Sequence, residues 1–206
     1  FGKNPSTGEG FVTQSIEGGG WGGRPWEDGE SASVSVCQGD VRNAPIEKTE
    51  LRWPVLVMSR ALRQDSGGPG KFRGGLGMAT RVKNLVEGRW TLTDSGRKAY
   101  PPAGIWHGKS GAPSDHQLRL PGEESFQSVE LVRHLVPADS EGVIMTAGGG
   151  GWGDPLERDT EMVIQDVREE YVSLEAAREE YGVIINPDTW EIDREGTKRL
   201  RRERKG

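Results

Sequence analysis

A single cysteine, Cys37, stands among 206 residues, which excludes an internal disulfide and a cysteine-built zinc site. One thiol fits a reducing compartment. Its neighbours alternate as Ser33-Val34-Ser35-Val36, so Cys37 reads as a small buried hydrophobe rather than a nucleophile. Long apolar runs are missing: no stretch nears the roughly 18 residues of a membrane span, and no secretory leader is visible. The expected location is the cytoplasm. Positive charge is in deficit, with 27 Lys and Arg against 32 Asp and Glu and an isoelectric point near 5.4. That balance argues against nucleic acid as a partner. Hydrophobic residues make up only 33 %, which is lean for an independent core of this length. The chain opens on Phe1 without a Met, and reads as a processed or partial piece of something larger.

Glycine is what the chain has in excess, at 31 residues, about twice the usual frequency. Two runs share a pattern, Gly18-Gly19-Gly20-Trp21-Gly22-Gly23-Arg24-Pro25 and Gly148-Gly149-Gly150-Gly151-Trp152-Gly153-Asp154-Pro155. Glycine lets a backbone approach other groups closely, at a cost in chain entropy that a buried Trp ring partly offsets. They read as structural turns closing a β-rich body, or as backbone lining for a ligand or a neighbouring subunit. A third zone, Asp65 to Gly77, holds six glycines in thirteen residues, with Phe72 and Leu76 as anchors.

Alternating patterns predict strands at 10–16, 31–37, 53–58, 78–86, 88–93, 117–120, 128–136 and 142–146. The strand at 53–58 looks buried. From Asp159 the apolar residues Val163, Ile164, Val167 and Tyr171 fall at helical spacing. Ser173 caps a second helix that Gly182 stops. The fold class expected is α+β: a β-rich body with glycine-rich turns over residues 1–156, a short helical segment over 157–185, and a charged tail over 186–206. Taken alone, a helix in that tail would fray.

Asp40, Arg42, Asn43 and Glu47 form the most polar cluster after a predicted strand and are the candidate catalytic residues. Carboxylate and guanidinium groups there either orient a polar substrate or pair with one another to fix a loop. Lys71 and Arg73 are weaker candidates for an anionic cofactor, because the Asp65–Gly77 zone lacks the phosphate-loop spacing Gly-x-x-x-x-Gly-Lys-Ser/Thr. His107, His116 and His134 match no metal-ligand spacing, so no metal site is expected. Asp154 sits where it would favour the start of the first helix.

The order of these blocks resembles the C-terminal part of the hydantoinase B/oxoprolinase family. It rests on Gly18 to Pro25, Asp28-Gly29, Arg42-Asn43-Ala44-Pro45-Ile46-Glu47, Asp65 to Gly77, Gly148 to Asp159 and Ser173 to Val183. The resemblance implies a segment of a B-type subunit, partnered by the remaining N-terminal part of that subunit and by an ATP-binding A-type subunit. Such assemblies open hydantoins, 5-oxoproline or lactams with ATP, and related ones carboxylate ketones such as acetone or acetophenone. Both phosphorylate an amide or enol oxygen to make an inert group reactive. ATP and a divalent metal would sit elsewhere in the assembly, with no cofactor held by this segment. At Gln38-Gly39-Asp40-Val41-Arg42-Asn43 many relatives carry a more His/Asn/Thr-rich stretch. A non-catalytic scaffold that organises subunits is the alternative from a different class.

Overall fold

The alternating stretches become strands of two antiparallel sheets in a computed structural model, which describes residues 1–34, 42–93, 96–130 and 133–205. In the smaller sheet β2 (Gly10–Phe11), β1 (Gly2–Lys3), β5 (Gly88–Thr91) and β8 (Arg133–Val136) lie side by side in that order. The larger sheet runs β3 (Val55–Leu62), β4 (Met78–Asn84), β9 (Glu141–Met145), β6 (Asp115–Arg119) and β7 (Gln127–Ser128). Its register pairs Thr80 with Ile144 and His116 with Ile144. The sheets meet where the Trp90 ring covers Gly142, leaving no room for a Cβ there.

Several expectations change. The single strand predicted over 128–136 is two, β7 and β8, and they belong to different sheets. Only Gly10–Phe11 of the predicted 10–16 strand is paired, and Cys37 lies outside the described residues. The stretch predicted as a buried strand at 53–58 begins an edge strand. Within β3 only Val55 is buried, while Leu56, Met58 and Leu62 are exposed. A short helix, α1 (Ile46–Arg52), precedes it and has no buried residue, so no apolar stripe signals it.

Within 18–23 and 147–152 the glycine runs do not themselves turn. They pack backbone against backbone in a bundle whose middle strand is 147–153. The turns come at the run ends, at Pro25–Trp26 and at Gly153 with φ +77°. A Cβ on Gly148 would overlap the Ser66 carbonyl, one on Gly149 the Trp21 carbonyl, one on Gly150 the Ala103 carbonyl and one on Gly151 the Pro69 carbonyl. Thus Gly148 and Gly151, three apart, face the same neighbour, while the two residues between them face two others. Three residues per turn is the period of a polyproline II helix, which makes no internal hydrogen bonds. Its amides must therefore bond sideways, and they do. Gly149 N donates to Gly75 O at 2.9 Å, Gly151 N to Lys109 O at 2.9 Å, Gly23 N to Gly150 O at 2.9 Å and Gly68 N to Gly149 O at 2.8 Å. The Trp rings contribute less than the sequence suggests. Trp21 is 37 % exposed, and Trp152 is half-buried beside Phe72 with ring centroids 5.9 Å apart.

Against one side of the bundle pack α2 (Thr160–Arg168), α3 (Leu174–Glu179) and α4 (Arg194–Lys205). Asp159 caps α2 by accepting from Glu161 N, and Ser173 caps α3 by accepting from Ala176 N. Asp154 instead caps the short 3-10 turn at Pro155–Glu157, accepting from Leu156 N at 2.8 Å. Val163, Val167, Val172, Ala177, Tyr181 and Val183 form the buried apolar cluster beneath these helices. Helix α4 is tied down rather than fraying. Arg201 donates to Tyr181 O and Arg158 O, each at 2.9 Å, and the buried Thr197 hydroxyl accepts from Ile184 N at 3.0 Å.

Candidate functional site

Where the two sheets diverge beside the glycine bundle they leave an open cleft of about 1130 Å³. Phe11 and Trp90 line it from the smaller sheet, Val57 and Val82 from the larger, and Trp21 from the bundle. At its floor the Glu17 carboxylate is nearly buried, with its side chain 4 % exposed. Arg60 Nη2 bonds Glu17 Oε1 at 2.8 Å, and the Thr80 hydroxyl donates to Glu17 Oε2 at 2.9 Å. The Ser15 hydroxyl also donates to Glu17. Every oxygen of this carboxylate is thus matched by a donor from the chain itself, which makes the cluster a strut between the 11–17 loop and β3–β4. His116, on β6, is buried and also lines the cleft.

The candidate catalytic residues do not converge there as a set. Asn43 lies at the rim, where Nδ2 donates to Ile16 O at 2.8 Å and Oδ1 accepts from Ile16 N at 3.3 Å. That two-point clamp holds the 11–17 loop. Arg42 is exposed beside it, and Glu47 is exposed in the first turn of α1. Asp40 lies outside the described residues.

The two candidate cofactor residues separate as well. Lys71 points to the surface, with Nζ 3.8 Å from Glu157. Arg73 turns inward and is 5 % exposed. Its Nη1 donates to Gly74 O at 2.7 Å, its Nε approaches Asp166 Oδ1 at 3.4 Å, and its own backbone amide donates to Asp28 Oδ1 at 2.7 Å. The guanidinium is therefore taken up by carboxylates and a carbonyl rather than turned toward an open anion site.

Arg73 belongs to a buried ion cluster that the sequence patterns do not announce. At its centre Arg158, 1 % exposed, grips Asp28 with two parallel bonds of 2.7 Å and Asp166 with bonds of 3.1 and 2.8 Å. Burial alone would lower the Arg158 pKa, but the Asp28 hydrogen bonds and the charges of Asp166 and Asp28 hold it above its ordinary value. Burial pushes Asp166 up, against the pull of Arg158 and Arg73. Burial likewise raises the Tyr181 phenol, whose ring lies 6.0 Å from the Arg158 guanidinium carbon. The cluster joins three parts of the chain: the 28–30 stretch, the bundle and α2. One signal for it is present in the sequence, since Asp166 interrupts the apolar stripe of Val163, Ile164 and Val167 on α2.

Elsewhere charge pairs hold the larger sheet. Burial acts to raise Glu141, but its hydrogen bonds to Arg81 at 2.6 Å and Arg119 at 2.8 Å bring it below the usual carboxylate range. Both guanidiniums also stack near the Phe126 ring, at 5.3 and 4.9 Å. His134, on β8, has its Nε2 2.8 Å from Glu130 O, and His107 sits in a left-handed turn with φ +73°. Among the described residues no group of three or more His, Cys, Asp or Glu side chains is placed to hold a metal ion. Among them, too, no helix is long and apolar enough to cross a membrane.

This architecture has relatives. The putative B-type subunit of a D-/L-hydantoinase from Pseudomonas sp. (strain NS671) is 37 % identical over 196 residues, covering 93 % of this chain and 32 % of that protein. The crystal structure of the ATP-dependent caprolactamase from Pseudomonas jessenii superposes with a TM-score of 0.77 at 29 % identity, covering 89 % of this chain and 32 % of the other. A nucleotide-free acetone carboxylase structure shares the fold, with a TM-score of 0.68 at 20 % identity over 91 % of this chain and 29 % of the other. The chain spans about a third of the length of these relatives. A sequence model described as hydantoinase B/oxoprolinase matches residues 1–155. The chain belongs to the hydantoinase B/oxoprolinase family.

Proposed function

We propose that this chain is the C-terminal segment of a B-type subunit in an ATP-dependent hydrolase that opens cyclic amides such as a hydantoin, 5-oxoproline or a lactam. The observation that carries the reading is the 37 % identity to a putative hydantoinase of the B type across 93 % of the chain. The fold shared with a caprolactamase supports it. A ring amide resists water because its nitrogen shares electron density with the carbonyl. Transfer of a phosphoryl group to the amide oxygen removes that protection, and this is the work ATP would do in the assembly. In this reading ATP and a divalent metal are held elsewhere in the assembly, which is supported by Arg73 being taken up by Asp166 and Gly74. The contribution assigned to this segment is a rigid frame: a bundle of bare backbone, and a cleft whose buried carboxylate, Glu17, is already matched. The partners in this reading are the rest of the B-type subunit and an ATP-binding A-type subunit.

The test is ATP hydrolysis by the reconstituted assembly in the presence of hydantoin, 5-oxoproline or caprolactam. Ring opening coupled to ATP consumption with at least one of them is the expected result. No stimulation by any of the three counts against the reading. The likeness to an acetone carboxylase fold favours one second reading, ketone carboxylation. Consumption of ATP that depends on bicarbonate and a ketone would select it.

A further inference from the structure

Residues 99–108 carry no carboxylate, ammonium or guanidinium group, in a chain that is 29 % charged. Burial is not the reason. Tyr100 is 77 % exposed, Trp106 73 % and Ile105 54 %, and Pro101 and Ala103 between them are exposed as well. An exposed apolar strip of this kind marks a contact with another molecule. The strip is also held still. Ile105 N donates to Gly151 O at 3.0 Å, and Ile105 O accepts from Gly153 N at 3.1 Å. Those two bonds pin it to the middle strand of the glycine bundle.

Its tip is strained. Gly108 N donates to Ile105 O at 3.0 Å, and the two residues inside that turn have φ of +52° at Trp106 and +73° at His107. Positive φ at both central positions makes a type I′ turn, which Asn and Gly favour and bulky side chains resist. Nothing in the chain offsets the strain at Trp106. Its ring is exposed, and its indole N–H meets no partner among the described residues. Trp26, by contrast, commits its indole N–H to Glu27 Oε1 at 2.8 Å. Strain kept at such a position belongs to sites that meet a ligand.

The chemistry of the strip selects the occupant. The lysines that flank it, Lys98 and Lys109, are already paired with Asp115 and Glu180, so the occupant need bring no charge. The Trp106 indole offers a donor and asks for a carbonyl. A polyproline II segment leaves all its carbonyls unpaired, and proline has no amide hydrogen in need of a partner. Tyr100 and Trp106 supply flat apolar rings of the kind on which proline rings rest. A second copy of this chain fits less well. Two aromatic side chains of about 150–250 Å² each, with small residues between them, fall short of the ~800 Å² per partner that a stable dimer buries. A polyproline segment is ordered before it binds and needs less area.

We propose that the 100–106 strip docks an uncharged, proline-rich segment of a partner protein in the polyproline II conformation, with the Trp106 indole donating to one of its carbonyls. This surface is independent of the reaction assigned to the assembly.

The experiment follows the indole N–H resonances of the seven Trp residues by NMR as decaproline is added, with a Gly-Ser repeat of equal length as the control. A variant carrying Trp106→Asn and His107→Gly identifies the Trp106 resonance by its absence. The expected result is a saturable shift of that resonance with decaproline and none with the control. In the variant, decaproline affinity should fall at least about tenfold. Its melting temperature should rise by about 2–4 °C, because Asn-Gly relieves the turn. A variant that melts well below the wild type makes Trp106 a structural residue and overturns the proposal. No shift, equal shifts with both peptides, or unchanged affinity in the variant would do the same. So would self-association of the chain that is lost with Trp106, since the occupant is then a second copy. Decaproline that binds the chain but is excluded from the reconstituted assembly also overturns it, because the strip is then internal. Turnover is not read, so failure here leaves the ring-opening reading standing, and failure of ring opening leaves this surface standing.

Discussion

The glycine bundle and the helical layer solve the same problem in opposite ways. In the helical layer, apolar side chains from α2, α3 and the 181–183 stretch fill a common interior, and stability grows with the volume buried there. In the bundle, carbonyls stand where side chains would be, and stability depends on nothing being there. The first region is sensitive to losing a methyl group and the second to gaining one. The comparison explains how a chain with 33 % hydrophobic residues still holds a fixed shape: part of its interior is made of backbone, whose hydrogen bonds replace packing as the source of order.

The contrast is sharpest at Gly149. An Ala there puts its Cβ into the Trp21 carbonyl on a side closed by backbone, so Gly149→Ala should cost more than about 4 kcal/mol, beyond ordinary overpacking. Urea denaturation measures this, and a variant within about 1 kcal/mol of wild type would deny that the bundle is close-packed. Next in size is Arg158→Ala, which removes the tie between the two regions and leaves Asp28 and Asp166 short of a partner. The expected loss is about 3–5 kcal/mol, and hydrogen exchange should show α2 opening ahead of the larger sheet. If α2 and the sheet open together, the cluster is not the joint between them. The smallest of the three is Val163→Ala, a single trimmed side chain in the helical cluster. It should lower stability by about 2 kcal/mol without changing the cooperativity of unfolding. A cost as large as that of Gly149→Ala would erase the distinction between the regions.

Local patterns are legible where one neighbour sets them. Alternation finds the stretches that become β4, β5, β6 and β9, and the apolar spacing with Asp159 and Ser173 finds α2 and α3 with their caps. The bundle is not legible, because its three-residue period shows only in which carbonyl each glycine meets. Those carbonyls belong to residues 66, 21, 103 and 69, far apart in sequence. Glycine in series therefore looks like turns. The predicted 128–136 strand fails for a related reason: its two ends alternate alike but pair with different sheets. At the site, Asn43 stands out in the sequence for its polarity, and the structure places it as a clamp on Ile16. Arg73 stands out for its charge, and its partners Asp28 and Asp166 come from stretches 45 and 93 residues away. No local pattern encodes such a meeting. The one hint that Asp166 gives is its place on an apolar helix face.

The order in which the bundle's parts occur has a consequence for how the protein is made. Its middle strand, 147–153, is the last of them in the sequence, after the stretches near 20, 70 and 105 that wrap it. During synthesis those earlier stretches leave the ribosome with their carbonyls and amides facing a space that is still vacant. Closure must wait for residue 153, and then draws together contacts spanning more than 120 positions, as between Gly149 and Trp21. Contacts of such long range form slowly, so the backbone groups of the earlier stretches stay without their bundle partners until the last segment arrives.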